Sequence, residues 1–206
     1  MDGLLFDSER VGCEVIAECG KMQGVQIAPE FILGTLGMTD TVSKPLYRKT
    51  YPGIDPDRLF ADFVTVMRGK AVKKEIPLKK GALELLERLK ELEIPCALAS
   101  SSQLESVQAY IDGKGITGYF SAVLGAPKNV RSKPEPDIFI LAAGMLGRKP
   151  EECMVLEDSV NGIRAGHACG AYTVMVPDLI PFREELRPYT DRVCESLEQV
   201  RKECFE

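Results

Sequence analysis

Residues 97–102 have the sequence ALASSS, the end of an apolar run that begins at Ile94 and stops at three hydroxyl side chains. A short apolar run bounded by polar residues is typical of a buried strand. An amphipathic stretch with helical spacing, from Ala82 to Leu92, precedes it. The sequence therefore predicts a helix, then a strand, then a polar loop at the carboxyl end of the strand.

The same unit recurs toward the C-terminus. Predicted helices at 104–111, 136–146 and 162–168 precede predicted strands at 122–124, 154–156 and 172–176. Strands that alternate with helices favour right-handed crossovers and a doubly wound parallel sheet, a Rossmann-like α/β core that binds its ligand beyond the carboxyl ends of the strands.

Residues 8–75 have a different pattern. They lack strand-like alternation, and their helical spacing is interrupted by glycines and prolines. We expect a small helical domain at residues 8–75 and one α/β core built from residues 1–7 and 76–206.

Composition restricts the classes of partner. The chain has 206 residues, 45% of them hydrophobic, and a net charge of -5, which gives no general attraction for nucleic acid or for an anionic membrane. The seven cysteines are scattered without a CxxC pair, and no secretory signal or long apolar run is present. We expect a cytoplasmic protein, a monomer or weak dimer, that acts on a small molecule.

Four polar motifs follow predicted strands or lie at the point in the chain where the helical domain begins. They are residues 1–9, 100–102, 132–137 and 156–162. Each is weak alone, because Asp-Gly is usually a turn, serines often cap helices and a single lysine is usually solvated. The adjacent acids Glu157 and Asp158 are more informative, since two carboxylates at the end of an apolar strand need a cation or hydrogen bonds. All four fall in fixed order at the ends of strands of one sheet, and this conjunction favours a functional site over four unrelated structural features.

The segments MDGLLFDSE, ALASSS, SKPEPDIF and VLEDSVNGIRAG resemble the four motifs of the haloacid dehalogenase-like superfamily. Within it, the chain is similar to the branch of beta-phosphoglucomutase and of small sugar-phosphate or nucleotide phosphatases. Members of that branch carry a helical cap just after the first motif, which implies that residues 8–75 are the cap. The resemblance implies a Mg²⁺-dependent phosphatase that works through an aspartyl-phosphate.

The resemblance also implies catalytic roles for individual residues. Asp2 matches the aspartate that protonates the leaving oxygen and then activates water. Ser100 matches the hydroxyl that binds the transferring phosphoryl group, assisted by the amide of Ser101. Lys133 matches the lysine that neutralises charge on the phosphate and on the nucleophile.

The magnesium ligands implied by the resemblance are all oxygen atoms. Glu157 and Asp158 match the acids that hold Mg²⁺, directly or through water, and the backbone carbonyl of Asp2 matches a third ligand. A hard cation with oxygen ligands suits such a set.

One departure from the family pattern concerns the first motif. The family has Asp-x-Asp-Gly, and the x position is Met1 here, so the nucleophilic aspartate and its strand do not precede Asp2. We therefore expect the first core strand to be missing and the activity of this chain to be impaired.

Three interpretations remain open. A phosphatase for a sugar, polyol or nucleotide monophosphate is preferred over a phosphomutase. Gly12 stands where the mutase has a histidine, and Asp40 stands near the place of its phosphate-binding arginine. The third interpretation is a non-catalytic relic that only binds a phosphorylated metabolite.

Overall fold

The computed structural model describes residues 1–206, and the chain divides into two compact units. The core unit combines residues 1–7 with residues 77–206, and the helical unit contains residues 8–76. That the helical unit serves as a cap stays a prediction.

The helical unit contains no strand. Its helices are α1 (Ser8–Met22), α2 (Pro29–Gly34), α3 (Asp40–Thr50) and α4 (Pro56–Val72). Helix α4 begins after Asp55, whose carboxylate accepts a hydrogen bond from the N–H of Asp57 at 3.0 Å and so caps the helix. The buried ring of Tyr47 packs edge to face against Phe31 and Phe60, with centroids 4.9 and 5.5 Å away. The unit therefore has a packed interior of its own.

The core unit alternates helices and strands. In chain order its elements are α5 (Ala82–Glu91), β1 (Ala97–Ala99), α6 (Leu104–Lys114), β2 (Ala122–Leu124), α7 (Asp137–Met145), β3 (Met154–Glu157), α8 (Val160–Cys169), β4 (Tyr172–Met175), β5 (Arg192–Val193) and α9 (Leu197–Phe205). Strand β1 is shorter than the predicted run from Ile94, because Pro95 has no N–H to donate to a ladder. Neither β5 nor α9 was predicted from the sequence.

The strands are parallel, as predicted, but they form two sheets rather than one. Strand β1 pairs with β2, from Ala97 opposite Ala122 to Ala99 opposite Leu124. The second sheet has the order β3-β4-β5. No ladder joins β1 to β3, so the expected single sheet is interrupted between these two strands.

A cavity of about 660 Å³ borders both β1 and β3. Residues 96–99 line it on the β1 side, and residues 153–157 line it on the β3 side. Apolar side chains of the surrounding helices supply most of the remaining wall, among them Leu86 of α5, Phe139 of α7 and Phe205 of α9. An apolar gap therefore lies where one continuous sheet was expected.

None of the helices combines the length and the apolar character that a membrane-spanning segment requires.

Candidate active site

The carboxyl end of β1 carries the three serines. Ser100 is buried, and its N–H donates to the carbonyl of Leu124 at 2.9 Å, which extends the pairing with β2 by one residue. Its Oγ accepts a hydrogen bond from the N–H of Ser102 at 3.1 Å, so the loop curls back toward the end of the strand. Ser101 is exposed on the same loop. Hydroxyl and amide groups gathered at the end of a strand can hold an anion.

Lys133 connects the carboxyl ends of the two sheets. Its Nζ lies 2.5 Å from Glu157 Oε1 and 3.5 Å from the carbonyl oxygen of Ala99. The side chains of Lys133 and Glu157 are only 8% and 6% exposed. Because Ala99 ends β1 and Glu157 ends β3, the ammonium group bridges the gap at its polar end.

Glu157 stays ionised although it is buried. Burial raises the pKa of its carboxyl, but this is outweighed by the charge and hydrogen bond of Lys133, by the positive amino terminus and by the N–H of Ser159. Together they hold the pKa at about 2, below the ordinary value of 4.5. The site therefore contains a fixed carboxylate at neutral pH, held in a buried ion pair with Lys133.

The second oxygen of Glu157 is also engaged. Oε2 accepts hydrogen bonds from the N–H groups of Asp158 and Ser159, each at 3.2 Å, and from Ser159 Oγ at 2.9 Å. A Cβ on Gly162 would overlap the Glu157 carboxylate, so only glycine leaves room for it at this point of α8. Because both carboxylate oxygens of Glu157 already accept hydrogen bonds, contact with a metal ion through a water molecule is favoured over direct ligation. Metal binding by Glu157 stays a prediction.

Asp2 lies in a turn close to the serine loop. The turn is closed by a hydrogen bond from the N–H of Leu5 to the carbonyl of Met1 at 2.9 Å. Ser102 Oγ donates to Asp2 Oδ2 at 2.9 Å and so fixes the direction of this carboxylate. The contact of Ser102 with Asp2 was not predicted, because in a run of three serines nothing distinguishes the one that faces an acid.

A second lysine and acid pair borders the site. Gly3 has a φ of +68°, and the space where its Cβ would stand is bordered by Asp158 Oδ2 and, at 3.3 Å, by Asp178 Oδ2. Asp178 forms an ion pair with Lys79. Neither residue of this pair was predicted, although Asp178 comes shortly after the apolar run 172–176, as Asp158 comes after its own strand.

The structure brings the predicted site residues together at one end of the core unit. They are Asp2, Ser100, Ser101, Lys133, Glu157 and Asp158. Their catalytic roles stay predictions.

The residues at this end fit magnesium. Their side-chain donors are carboxylate oxygens, which a hard cation prefers. No three His, Cys, Asp or Glu side chains converge as a ready-made cluster. Magnesium does not need one, because it keeps several waters and takes one or two carboxylates from a protein.

Comparison with known proteins identifies the family. Residues 1–170 match the family described as haloacid dehalogenase-like hydrolase. The chain belongs to the haloacid dehalogenase-like hydrolases. The resemblance inferred from the four motifs is therefore confirmed.

Several relatives of this hydrolase family member carry phosphatase names. The chain is 31% identical over 206 residues to the bifunctional riboflavin kinase/FMN phosphatase of Arabidopsis thaliana. The match covers 98% of this chain but only 53% of that longer protein, so the chain spans about half the length of this relative. It is 31% identical over 217 residues to the probable pseudouridine-5'-phosphatase of Drosophila melanogaster, covering 100% of the chain and 90% of the relative. It is 31% identical over 179 residues to hexitol phosphatase B of Escherichia coli K12, covering 86% and 81%.

Solved structures of the hydrolase family share the fold. A putative beta-phosphoglucomutase from Thermotoga maritima matches with a TM-score of 0.81 at 22% identity, covering 99% of this chain and 96% of that one. CbbY from Rhodobacter sphaeroides, solved in complex with phosphate, matches with a TM-score of 0.79 at 23% identity, covering 97% and 93%. At these identities the likeness establishes the α/β fold alone.

Proposed function

We propose that this protein is a magnesium-dependent phosphatase whose substrate is the monophosphate of a sugar, a polyol or a nucleoside. The supporting observation is the convergence of a buried hydroxyl, a buried ammonium group and two acids at the carboxyl ends of β1 and β3. The names of the relatives support the substrate class, since hexitol phosphates and pseudouridine phosphate are monoesters of polyols and nucleosides.

The phosphoryl group of the substrate binds between Ser100 and Lys133. The hydroxyl of Ser100 and the amide of Ser101 donate to its oxygens, and the Lys133 ammonium group offsets their negative charge. Fixed donors and fixed positive charge lower the barrier because charge in the transition state is spread over the equatorial oxygens. Glu157, Asp158 and the backbone carbonyl of Asp2 would hold magnesium, directly or through water, and the bound ion would supply further positive charge to the phosphoryl group.

Asp2 transfers protons on both sides of the reaction. When a carboxylate nucleophile forms its bond to phosphorus, the ester bond breaks and the leaving oxygen takes a proton from Asp2. Water then gives its proton to the Asp2 carboxylate, attacks phosphorus and releases inorganic phosphate, which regenerates the nucleophile. The hydrogen bond from Ser102 keeps the Asp2 carboxylate aimed in one direction.

The nucleophile is proposed to come from a further strand in the gap between β1 and β3. Both strands have an unpaired edge there, and the space between them is an apolar cavity of about 660 Å³. A parallel strand in the gap would satisfy both edges, and the residue at its carboxyl end would stand beside Lys133. A carboxylate at that end is the aspartate that the family motif requires.

The proposed function is tested with three proteins: this chain, a chain extended before Met1 by a short strand ending in Phe-Asp, and a matched extension ending in Phe-Asn. Phosphate release is measured with Mg²⁺ on p-nitrophenyl phosphate and on a panel of sugar, polyol and nucleoside monophosphates. We expect turnover from the Phe-Asp extension alone, and a higher melting temperature from both extensions because both fill the gap.

The other outcomes argue against the proposal. If the Phe-Asp extension is folded and stabilised but inactive on the whole panel, the protein is a phosphate-binding relic rather than a phosphatase. If the original chain already turns over as fast as the Phe-Asp extension, the gap does not supply the nucleophile.

A further inference from the structure

Asp178 is a buried acid that the proposed reaction does not use. It follows β4, and its side chain is only 7% exposed. One carboxylate oxygen, Oδ1, accepts from Lys79 Nζ in the ion pair. The other, Oδ2, is buried and has no hydrogen-bond partner in the protein. A buried carboxylate oxygen without a donor is costly, so a missing partner is indicated at this point.

The unpaired oxygen faces the proposed metal site. Asp178 Oδ2 lies 3.3 Å from the place where a Cβ on Gly3 would stand, and Asp158 Oδ2 borders the same place. Two carboxylates from neighbouring parallel strands, β3 and β4, therefore point at one glycine.

Lys79 engages one of the two carboxylate oxygens of Asp178. The backbone N–H of Lys79 donates to the carbonyl of Leu5 at 2.8 Å, which fastens the lysine to the turn that contains Asp2 and Gly3. Lys79 contacts Oδ1 alone, and Oδ2 is the oxygen that faces Gly3.

We infer that Asp178 is a positioning residue for the divalent cation: its Oδ2 accepts a hydrogen bond from a water on the cation that Asp158 binds. This inference rests on the magnesium site of the proposed function. A contact between Asp178 and the cation through water agrees with the finding that no three acidic side chains converge as direct ligands. It also agrees with the preference of magnesium for retaining waters, whose orientation is set by neighbouring carboxylates.

The test is the affinity of the folded protein for Mg²⁺, measured by isothermal titration calorimetry at fixed pH and ionic strength. The variants are Asp178→Asn and Lys79→Met. We expect Asp178→Asn to weaken Mg²⁺ binding by about tenfold. Lys79→Met is expected to tighten it by a few-fold, because a competing positive charge is removed and Mg²⁺ becomes the main counterion of Asp178.

Lys80→Met is the matched control. Lys80 is the next residue, and its ion pair with Glu198 is 2.6 Å long with the lysine side chain 80% exposed. This variant loses the same charge without touching Asp178, so its Mg²⁺ affinity should equal that of the parent. An equal gain in Mg²⁺ affinity for Lys80→Met and Lys79→Met overturns the inference, because the gain would then come from the change in net charge alone and not from the ion pair with Asp178.

A purely structural role for Asp178 gives a different result. In that case Asp178→Asn and Lys79→Met both lower the melting temperature and leave the affinity for Mg²⁺ unchanged, which overturns the inference. If Asp178→Asn fails to fold by circular dichroism, Lys79→Met decides: tighter binding supports the inference, and unchanged or weaker binding contradicts it.

Asp158→Asn separates this inference from the proposed function. If Asp158→Asn abolishes Mg²⁺ binding and Asp178→Asn does not weaken it, only the role of Asp178 is wrong. If Asp158→Asn has no effect, or the parent chain binds no Mg²⁺, the proposed metal site is wrong and the role of Asp178 with it.

Discussion

Lys133 in the core unit and Lys44 in the helical unit form the same kind of ion pair in opposite surroundings. Lys133 lies 2.5 Å from Glu157, and Lys44 lies 2.9 Å from Asp57. Both members of the first pair are buried, whereas the Asp57 side chain is 67% exposed. Similar distances therefore say little about the energy of a pair, because burial decides what happens when one partner is removed.

The largest expected effect comes from breaking the buried pair from one side. Lys133→Met leaves the Glu157 carboxylate buried without its cation, so the free energy of unfolding should fall by about 3–5 kcal/mol. Urea denaturation followed by circular dichroism measures this. The double variant Lys133→Met with Glu157→Gln removes both charges and should recover a large part of the loss. A single variant as stable as the parent would contradict the buried pair.

Acid should weaken the buried pair without any mutation. The pKa of Glu157 is lowered in the folded protein to about 2, from an ordinary value of 4.5 that holds in the unfolded chain. Its stabilising contribution is present above pH 4.5 and is lost as the pH falls toward 2, by about 3 kcal/mol in all. Unfolding free energies measured across this range should fall more steeply for the parent than for Glu157→Gln, and parallel profiles would count against the lowered pKa.

The space around Glu157 can be tested through the glycine that leaves room for it. Gly162→Ala would place a Cβ into the Glu157 carboxylate, and the displacement should cost about 1–3 kcal/mol of stability. Gly144→Ala is the control, because Gly144 lies in α7 with nothing within 4 Å of its Cβ position. That control should gain about 0.5–1 kcal/mol from helix propensity. Equal effects of the two substitutions would mean that Glu157 has room to move.

The smallest expected effect is on the exposed pair. The Asp57 hydrogen bond raises the pKa of Lys44, but solvent screens the pair, so Lys44→Met should leave the urea midpoint within experimental error. A loss comparable to that of Lys133→Met would show that burial is not what separates the two pairs.

The sequence predicted the parts of the site that depend on local pattern. An apolar run that ends in a polar group marks the end of a strand, so Ser100, Glu157 and Asp158 could be found before the structure was known. Lys133 was found through its family motif rather than through its surroundings. Its bridge from Ala99 to Glu157 joins positions far apart in the chain and could not be read from the sequence.

Other features were missed for different reasons. Helix α9 has a local signal, because Ser196 accepts from the N–H of Gln199 and the Gln199 side chain accepts from the N–H of Glu195. That capping pattern was available and was overlooked. The orientations of Ser102 and Asp178 had no local signal, since each depends on a distant partner. The separation into two sheets is likewise a matter of pairing between distant strands.

The gap between β1 and β3 has a consequence for volume as well as for chemistry. Voids inside a folded protein disappear when the chain unfolds, so hydrostatic pressure favours the unfolded state of a protein that contains them. The cavity of about 660 Å³ is partly open to solvent, so its enclosed part is what makes the core unit sensitive to compression at the seam between its two sheets. Lys133 is the polar bridge across that seam, and its ion pair is therefore a contact that pressure would be expected to strain early.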